Sequence, residues 1–267
     1  MSNVSFPEIM GIVNVTPDSF SDGGQFVAVE AAVEHALTLI GDGADYLDVG
    51  GESTRSGSLE VPVDEEIRRV VPVIEAVRQH DPTIPISVDT RKSEVARAAI
   101  ETGATMVNDV SGLEFDLALA HVVAAAKVPL ILMHSRGTPQ TMQDDPYYKD
   151  VASEVKTELT QKMRLAKDLG VNNILCDVGI GFAKSADHNW QLLKKHRTFK
   201  DLGVPLVLGI SRKSFIGELL NIDEPAERDT ATALLHSLLL DSGADIIRVH
   251  NVFHIQGLRL LHRALNS

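Results

Sequence analysis

The sequence predicts an α/β protein built as a single (β/α)8 barrel, one domain that spans residues 1–267. Eight short apolar runs alternate with segments of helical periodicity along the chain. The length of 267 residues is close to the roughly 250 residues typical of such barrels. Only 4% of the residues are aromatic although 44% are hydrophobic, which indicates an aliphatic core of the kind that parallel strands covered on both faces require. The same alternation permits an open doubly wound sheet, but eight units favour closure.

The predicted strands are the eight apolar runs, and most of them end on polar residues. They cover residues 8–15, 44–50, 85–89, 105–109, 129–134, 173–178, 205–211 and 245–250. Because the C-terminal ends of parallel barrel strands converge at one mouth, we expect their polar residues to share a pocket. These residues are Asn14, Asp48, Asp89, Asn108, His134, Asp177, Arg248 and His250.

The helices are predicted from apolar stripes of helical spacing between the strands. The clearest stripes lie in residues 27–40 and 67–77, and the later helices are expected at 91–102, 115–126, 150–169, 187–200, 226–242 and 254–265. Glycines at 41, 43, 103, 170, 203 and 243 follow helical stretches, where a left-handed cap residue is favoured. Long connections at 16–27, 51–63 and 135–149 all follow strands, the expected place of lids and substrate contacts.

Charge and cysteine content restrict the partners and the compartment. The formal net charge of −12 disfavours nucleic acid and anionic membranes as general partners, since an acidic surface repels both. The single Cys176 forms no internal disulfide, which fits a reducing compartment, and we expect it to be a buried hydrophobe that points away from the mouth. We find no secretory or membrane-spanning segment in the sequence and expect a cytoplasmic enzyme.

The first two loops carry groups suited to an anionic ligand. Residues 14–24 combine an amide, two carboxylates, serines and glycines, which suits a mobile cover that supplies oxygen ligands to a hard cation such as Mg²⁺. Residues 50–57 place Thr54 and Arg55 between glycines, so backbone and side-chain donors can approach an anion together. An ordinary turn and a solvated surface arginine are the alternative interpretations of these two loops.

Arg248 and His250 on the eighth strand form the predicted anion site. Their spacing of two residues aims both side chains to one side of the strand. Two cations at this place in an acidic protein indicate a site for phosphate or diphosphate, where such barrels commonly hold phosphate. The alternative is that Arg248 pairs with a carboxylate from a neighbouring strand.

The middle strands supply a set of groups suited to a flat nitrogen heterocycle. Asp89, Asn108 and Asp177 offer acceptors and an amide, and an unpaired group in such a site costs about 1 to 3 kcal/mol. The alternatives are a satisfied polar layer inside the barrel and a glycosidase carboxylate pair, against which the neighbouring cations argue. Lys213, after the seventh strand, either forms a Schiff base with a carbonyl substrate or stays protonated and hydrogen-bonds the ligand.

Taken together, the motifs resemble the dihydropteroate synthase family. The resemblance covers nearly the whole chain through seven motifs in order: NVTPDSFSDGG at 14, GGESTRSG at 50, SVDTRKSEVA at 87, VNDVSG at 107, DVGIGFAK at 177, GISRKSFIG at 209 and IIRVHNV at 246. It implies a TIM barrel that joins p-aminobenzoate to a dihydropterin methyl diphosphate. It also implies a homodimer.

The resemblance implies a role for each matching residue. Asn14 is expected to bind the Mg²⁺ that accompanies the diphosphate, and Asn14, Asp89, Lys213, Arg248 and His250 form the expected catalytic set. The residues expected to bind the pterin diphosphate are Thr54, Asp89, Asn108, Asp177, Lys213, Arg248 and His250. Those expected on the p-aminobenzoate side are Arg55, Phe182 and Ser214, and those expected to close over the site are Asp18, Phe20 and Asp22.

The sequence departs from the family pattern at several positions. Ser56 replaces a usual proline, Val178 and Ala183 alter the usual DPGIGFGK, and Asn251 replaces the aspartate of the usual HDV. A lost proline changes the flexibility of a loop and an added methyl restricts it, so the p-aminobenzoate pocket is the part most affected. The alternatives to a synthase are a pterin-binding homologue without catalytic activity and a Schiff-base lyase that uses Lys213.

Overall fold

The computed structural model describes residues 5–15 and 24–266, with the side chains of residues 24–27 outside the description. Eight parallel strands close into a barrel in sequence order, each paired with its two neighbours. The strands are β1 (Glu8–Asn14), β2 (Tyr46–Gly50), β3 (Ile86–Asp89), β4 (Met106–Asp109), β5 (Leu130–Met133), β6 (Ile174–Asp177), β7 (Leu206–Leu208) and β8 (Ile246–Val249). The predicted closed (β/α)8 barrel is confirmed.

Helices alternate with the strands and cover the outside of the barrel. They are α1 (Gly24–Gly41), α2 (Val63–His80), α3 (Ser93–Thr102), α4 (Ala118–Ala126), α5 (Val151–Asp168), α6 (Ala186–Lys195), α7 (Ser214–Leu220), α8 (Asp229–Leu238) and α9 (Val252–Asn266). Within residues 5–15 and 24–266, no helix combines the length and the apolar character that a membrane crossing requires.

The core has two parts, which the two-residue period of the strands separates. The larger cluster joins the outward faces of the strands to the helices, and it contains Cys176, which is fully buried as predicted. The smaller cluster lies inside the barrel and consists of Met10, Met106, Ile131, Leu175, Val207 and Ile246. Two residues further along their strands, Asn108, Asp177 and Arg248 follow members of this inner cluster. The strand period therefore turns these polar side chains towards the mouth.

Two predicted helices are wrong in extent. The segment predicted as a helix over 187–200 leaves the α-helix at Lys195 and continues as a 3₁₀ helix, His196–Leu202. The segment predicted over 226–242 divides into Pro225–Arg228, α8 and Leu240–Ser242, of which the outer two are 3₁₀. A hydrogen-bonding contact of 3.1 Å between His196 Nδ1 and the Ser242 carbonyl joins the two irregular segments. Such long-range contacts are invisible to a periodicity pattern.

Helix α7 was not predicted, because its seven residues span too few turns to show an apolar period. It also contains Gly217, which lowers helix propensity. A Cβ at Gly217 would lie 2.4 Å from the Ile222 carbonyl oxygen and 2.5 Å from Arg228 Nε. Close packing of the chain therefore requires glycine at position 217. Such packing cannot be predicted from the apolar periodicity of the sequence.

The predicted glycine caps are confirmed except at one position. Gly43, Gly103, Gly170, Gly203 and Gly243 all have positive φ, the left-handed region that glycine enters without steric cost. Gly41 does not, since it is the last residue of α1. The turn after α1 is therefore made at Gly43, where φ is +96°.

Candidate active site

The mouth of the barrel brings together one guanidinium and two carboxylates from three strands. Arg248 on β8 donates from Nε to Asp48 Oδ2 over 2.5 Å and from Nη2 to Asp89 Oδ2 over 2.7 Å. Asn108 on β4 donates from Nδ2 to Asp48 Oδ2 over 3.0 Å. Arg248 thus pairs with carboxylates, as its alternative interpretation has it, but these lie on β2 and β3 and not on β1 or β7, the two strands beside β8. Within the described residues, Arg248 Nη1 has no protein acceptor.

Asp48 is a site residue to which the sequence analysis assigned no role. It is fully buried, and its Oδ1 has no hydrogen-bond partner within the described part of the chain. The feature of the sequence that indicates a site role for Asp48 is its position near the end of β2. In the barrel it lies in the same layer as Ser87 and Ile12. A buried carboxylate oxygen without a protein partner is a group that a ligand donor can satisfy.

The charges in this network perturb one another. Burial raises the pKa of Asp89, the nearby Asp48 carboxylate raises it further, and Arg248 opposes both effects. Burial also raises the pKa of Asp177, and it lowers that of Lys213, whose ammonium the Asp177 carboxylate favours. Perturbed pairs of this kind cluster at functional sites.

Asp177 and Lys213 lie on the adjacent side of the mouth. Asp177 ends β6, and its Oδ1 accepts a hydrogen bond of 2.7 Å from the Gly179 amide. Lys213 immediately precedes α7, and its Nζ lies 4.1 Å from the centroid of the Phe182 ring. That distance is within the range of a cation–π contact. Phe182, predicted on the p-aminobenzoate side, therefore lies directly beside Lys213, which is predicted on the pterin side.

His250 differs from the prediction that it supplies a second cation. Its backbone N–H donates to Ser211 Oγ over 3.1 Å, and its Nδ1 lies 2.9 Å from the same oxygen. Burial lowers the pKa of His250 to about 3, and Arg212 and Arg248 lower it in the same direction. The imidazole is therefore neutral at pH 7, and it offers a hydrogen bond to an anion instead of a charge.

A cleft beside the mouth contains two further predicted residues. Thr54 and Phe182 both line this cleft. Its other lining residues are Arg91, Val110, Ser111, Ser135, Gly137, Pro139 and Met142. Arg55 and Ser214 are exposed and do not line it. Asn14 is exposed at the end of β1, while Asp18, Phe20 and Asp22 lie outside the described residues.

The comparisons with known proteins agree with this geometry. Residues 10–250 match the model of a family described as pterin binding enzyme. A dihydropteroate synthase of Synechocystis is 47% identical over 91% of this chain and 85% of its own. The crystal structure of Xanthomonas albilineans dihydropteroate synthase with 4-aminobenzoic acid superposes with a TM-score of 0.90 at 44% identity, covering 99% of this chain and 94% of that one. The same enzyme in complex with 7,8-dihydropteroate gives 0.87 at 42% identity over 99% and 95%.

The chain belongs to the dihydropteroate synthase family. This membership makes it a transferase and confirms the family resemblance of its motifs.

In this synthase-family chain, the altered residues after β6 lie in a tightly packed loop. Gly179 has φ of +69°, and a Cβ there would come within 1.8 Å of the His134 carbonyl oxygen, so only glycine fits. Ala183 takes φ of +50° where the family pattern has glycine, a conformation that a Cβ disfavours. Both Val178 and Ala183 are buried, and Ser56 is exposed.

A buried ionic cluster anchors the second loop of this family member. Lys92 Nζ donates to Glu52 Oε2 over 2.6 Å, to Glu66 Oε2 over 2.7 Å and to the Val61 carbonyl over 2.6 Å. Arg91 donates to Glu52 from the same turn and stacks on Phe115 at 3.9 Å. This cluster is not visible in the sequence, because it is assembled from separate segments. It holds both ends of the loop that carries Thr54 and Arg55.

Proposed function

We propose that the chain joins p-aminobenzoate to (7,8-dihydropterin-6-yl)methyl diphosphate, giving 7,8-dihydropteroate and pyrophosphate in tetrahydrofolate biosynthesis. The observation that carries the proposal is the polar network of Arg248, Asp48, Asp89 and Asn108 at the mouth of a synthase-family barrel. Relatives of the same fold were solved with 4-aminobenzoic acid and with 7,8-dihydropteroate, which are the proposed second substrate and the proposed product.

The pterin ring is proposed to bind to Asp89, Asn108, Asp177 and Lys213. These groups project from β3, β4, β6 and the start of α7 and are held by the contacts described above. Fixed, buried acceptors and donors discriminate strongly, because a wrong ligand leaves them unpaired. We add Asp48, whose buried Oδ1 is available to a ring N–H or amino group that reaches it.

The diphosphate is proposed to lie against Arg248, His250 and Thr54. Arg248 retains one guanidinium nitrogen for a phosphate oxygen, and His250 approaches as a neutral donor. Donors held in place act where negative charge grows as the bond to the leaving oxygen breaks, and one such contact contributes about 3 to 4 kcal/mol to the rate. The arylamine nitrogen bonds to the pterin methylene carbon, pyrophosphate departs with the electron pair, and the nitrogen loses its proton to solvent.

The described residues fit a Mg²⁺ that arrives with the diphosphate. Asn14 offers an exposed side-chain amide at the end of β1, and its oxygen is a suitable ligand, since Mg²⁺ keeps several waters and is held mainly by substrate phosphates. Among the described residues, no group of three or more His, Cys, Asp or Glu side chains is placed to form a cage. Bound there, the ion would neutralise charge on the diphosphate oxygens.

The p-aminobenzoate is proposed to enter the cleft that Thr54 and Phe182 line. Phe182 would pack on the arene, and Ser214 and Arg55 would lie towards its carboxylate. An arylamine is nucleophilic while neutral, so no strong general base is needed. Asp18, Phe20 and Asp22 are proposed to close over the site and exclude water, which would otherwise capture the electrophilic carbon.

The assembly and compartment are also proposals. We propose a cytoplasmic homodimer of single-domain subunits that uses no nucleic acid or membrane partner. Exposed apolar side chains on three consecutive helices support the dimer, and they are Leu219 and Leu220 on α7, Leu234 and Leu238 on α8, and Phe253, Leu260, Leu261 and Leu265 on α9. Exposed apolar side chains of this kind favour association.

The deciding experiment is a coupled assay of pyrophosphate release from the pterin diphosphate with Mg²⁺, with and without p-aminobenzoate. Release that depends on p-aminobenzoate, with dihydropteroate as the product, is expected. Tight binding of the pterin diphosphate without release would instead identify a non-catalytic homologue. Irreversible borohydride trapping of a carbonyl substrate on Lys213 would identify a Schiff-base lyase.

A further inference from the structure

A buried chain of hydrogen bonds runs from α5 to the loop that carries Phe182. Lys184 is 3% exposed, and its Nζ donates to the Phe182 carbonyl over 2.8 Å and lies 3.0 Å from His134 Nδ1. His134, at the end of β5, is fully buried, and its Nε2 lies 2.9 Å from Glu158 Oε2 on α5. None of these three side chains belongs to the proposed substrate contacts.

The protonation states of His134 and Glu158 determine which atom donates in each hydrogen bond of this chain. Burial lowers the pKa of His134 to about 4, so the imidazole is neutral at pH 7. Burial also lowers the pKa of Lys184 to about 7, and its side chain carries N–H donors in either protonation state. The hydrogen bond from His134 lowers the pKa of Glu158 to about 2, which keeps that carboxylate ionised. An ionised carboxylate only accepts, so Nε2 of His134 carries the proton and Nδ1 is free to accept from Lys184. Glu158 therefore selects the one tautomer that Lys184 can use.

The loop between Asp177 and Lys184 depends on such support. Gly179, Gly181 and Ala183 all have positive φ, and the last of these is disfavoured for a residue with a Cβ. The loop is also held by the Gly181 amide, which donates to Asn189 Oδ1 over 2.7 Å, and by its carbonyl, which accepts from Gln143 over 2.9 Å. The Phe182 carbonyl is bound by Lys184 alone among the contacts described.

We propose that Lys184, oriented by His134 and Glu158, is a positioning residue that fixes Phe182 and thereby sets the affinity for p-aminobenzoate. The inference rests on the proposed role of Phe182 at the p-aminobenzoate side of the site. Fixing the Phe182 backbone places its ring over Lys213, 4.1 Å away. Loss of the Lys184 contact leaves the part-buried Phe182 carbonyl and the buried Nδ1 of His134 unpaired, and the loop must move to satisfy them.

The test separates the two substrates. Lys184→Met is expected to raise the KM for p-aminobenzoate by about tenfold or more, the low end of what an unmet buried hydrogen bond costs. The Kd of the pterin diphosphate and the kcat are expected to change less than this KM, because Lys184 acts on Asp177 through its charge and not through a hydrogen bond. A KM unchanged within about twofold, or an equal weakening of both substrates, overturns the proposal.

Lys195→Met is the matched control, since Lys195 is a half-exposed lysine on α6 whose one described ion pair is with Asp150 at 3.5 Å. Lys195→Met is expected to leave the KM for p-aminobenzoate and the Kd of the pterin diphosphate unchanged. Glu158→Gln provides a second variant. The Glu158 side chain is 29% exposed, so the protein is expected to fold with glutamine at this position. Its amide also accommodates the other His134 tautomer, which cannot accept from Lys184. We expect about a threefold rise in the p-aminobenzoate KM, and if Lys184→Met does not fold, an unchanged KM here overturns the proposal.

Phe182→Ala distinguishes this inference from the role on which it rests. A raised p-aminobenzoate KM in Phe182→Ala, with a normal KM in Lys184→Met, means that Phe182 binds the substrate and that Lys184 does not position it. A normal KM in Phe182→Ala removes the role of Phe182 and the inference together. Turnover of the wild-type protein, measured first, establishes the reaction independently of both.

Discussion

At the scale of single residues, Arg248 shows how one cation organises the mouth. It lies between two buried carboxylates, Asp48 and Asp89, which would otherwise repel each other inside the barrel. A buried charge is tolerated when it is paired and hydrogen-bonded. Arg248 therefore keeps the two carboxylates together, and we propose that it presents a remaining N–H group to an anion.

Replacing Arg248 with Ala is expected to lower kcat/KM for the pterin diphosphate by at least about 100-fold, through loss of a donor where charge develops. The pKa of Asp89, already raised by burial and by Asp48, is expected to rise further once its cation is removed. Steady-state kinetics on the folded variant measure the first effect. Arg197→Ala, at an exposed position, is the control, and near-normal activity of Arg248→Ala contradicts the assigned role.

His236 is expected to make the stability of the folded protein decrease at acid pH. Burial lowers its pKa to about 3, and its Nε2 has no hydrogen-bond partner within the described residues. Between about pH 6.5 and pH 3, only the unfolded chain binds this proton, so stability is lost as the pH falls through that range. Relative to wild type, His236→Gln is expected to gain about 1.4 kcal/mol for each pH unit below about 6.5. Urea unfolding of wild type and His236→Gln at pH 7.5, 6 and 5 measures the two free energies of unfolding. A difference between them that does not change with pH contradicts the prediction.

At the scale of elements, the helix ends show how local sequence and packing share control. Helix α6 begins with a capping box, in which Ser185 Oγ accepts from the His188 amide while His188 Nδ1 accepts from the Ser185 amide. Helix α4 ends at Ala126, and the residue that caps it, Lys127, is an exposed non-glycine residue with φ of +58°. Glycine is the residue that this left-handed position favours. The backbone at Lys127 is therefore strained, and a glycine there would relieve the strain.

Lys127→Gly is expected to stabilise the protein by about 0.5 to 1 kcal/mol, because glycine adopts this φ without a steric penalty. Chemical denaturation measures the gain as a higher midpoint at an unchanged m-value. Lys127→Ala removes the same charged side chain but keeps the Cβ, so it is expected to give no gain. An equal gain in both variants would assign the effect to the lysine side chain instead of the backbone.

At the scale of the whole molecule, closure of the barrel turns a local alternation into a shared site. Each strand aligns with the next in a parallel register, for example Asp89 beside Asn108 and Gly50 beside Asp89. Residues far apart in sequence, such as Asp48 and Arg248, meet because β1 pairs with both β2 and β8. The outward faces of α8 and α9 keep apolar side chains exposed, and these are the proposed dimer surface.

A double change of Leu234 and Leu238 to Glu is expected to convert the proposed dimer to monomer, since these leucines are 62% and 81% exposed one helical turn apart. Burying four added carboxylates at a two-fold interface is strongly unfavourable. Light scattering coupled to gel filtration measures the mass. Leu165→Glu, a comparable exposed leucine on α5, is expected to leave the mass unchanged, and a monomeric wild type contradicts the proposal.

The sequence by itself determined the barrel, the family and the inward direction of Asn108, Asp177 and Arg248, because these follow from a period of two along each strand and from motifs read in order. Only the tertiary structure decided that Arg248 is shared between two carboxylates, that His250 is neutral, and that Lys184 and His134 hold the Phe182 loop. These properties depend on distances between side chains from separate elements and on their removal from water, which no local pattern contains.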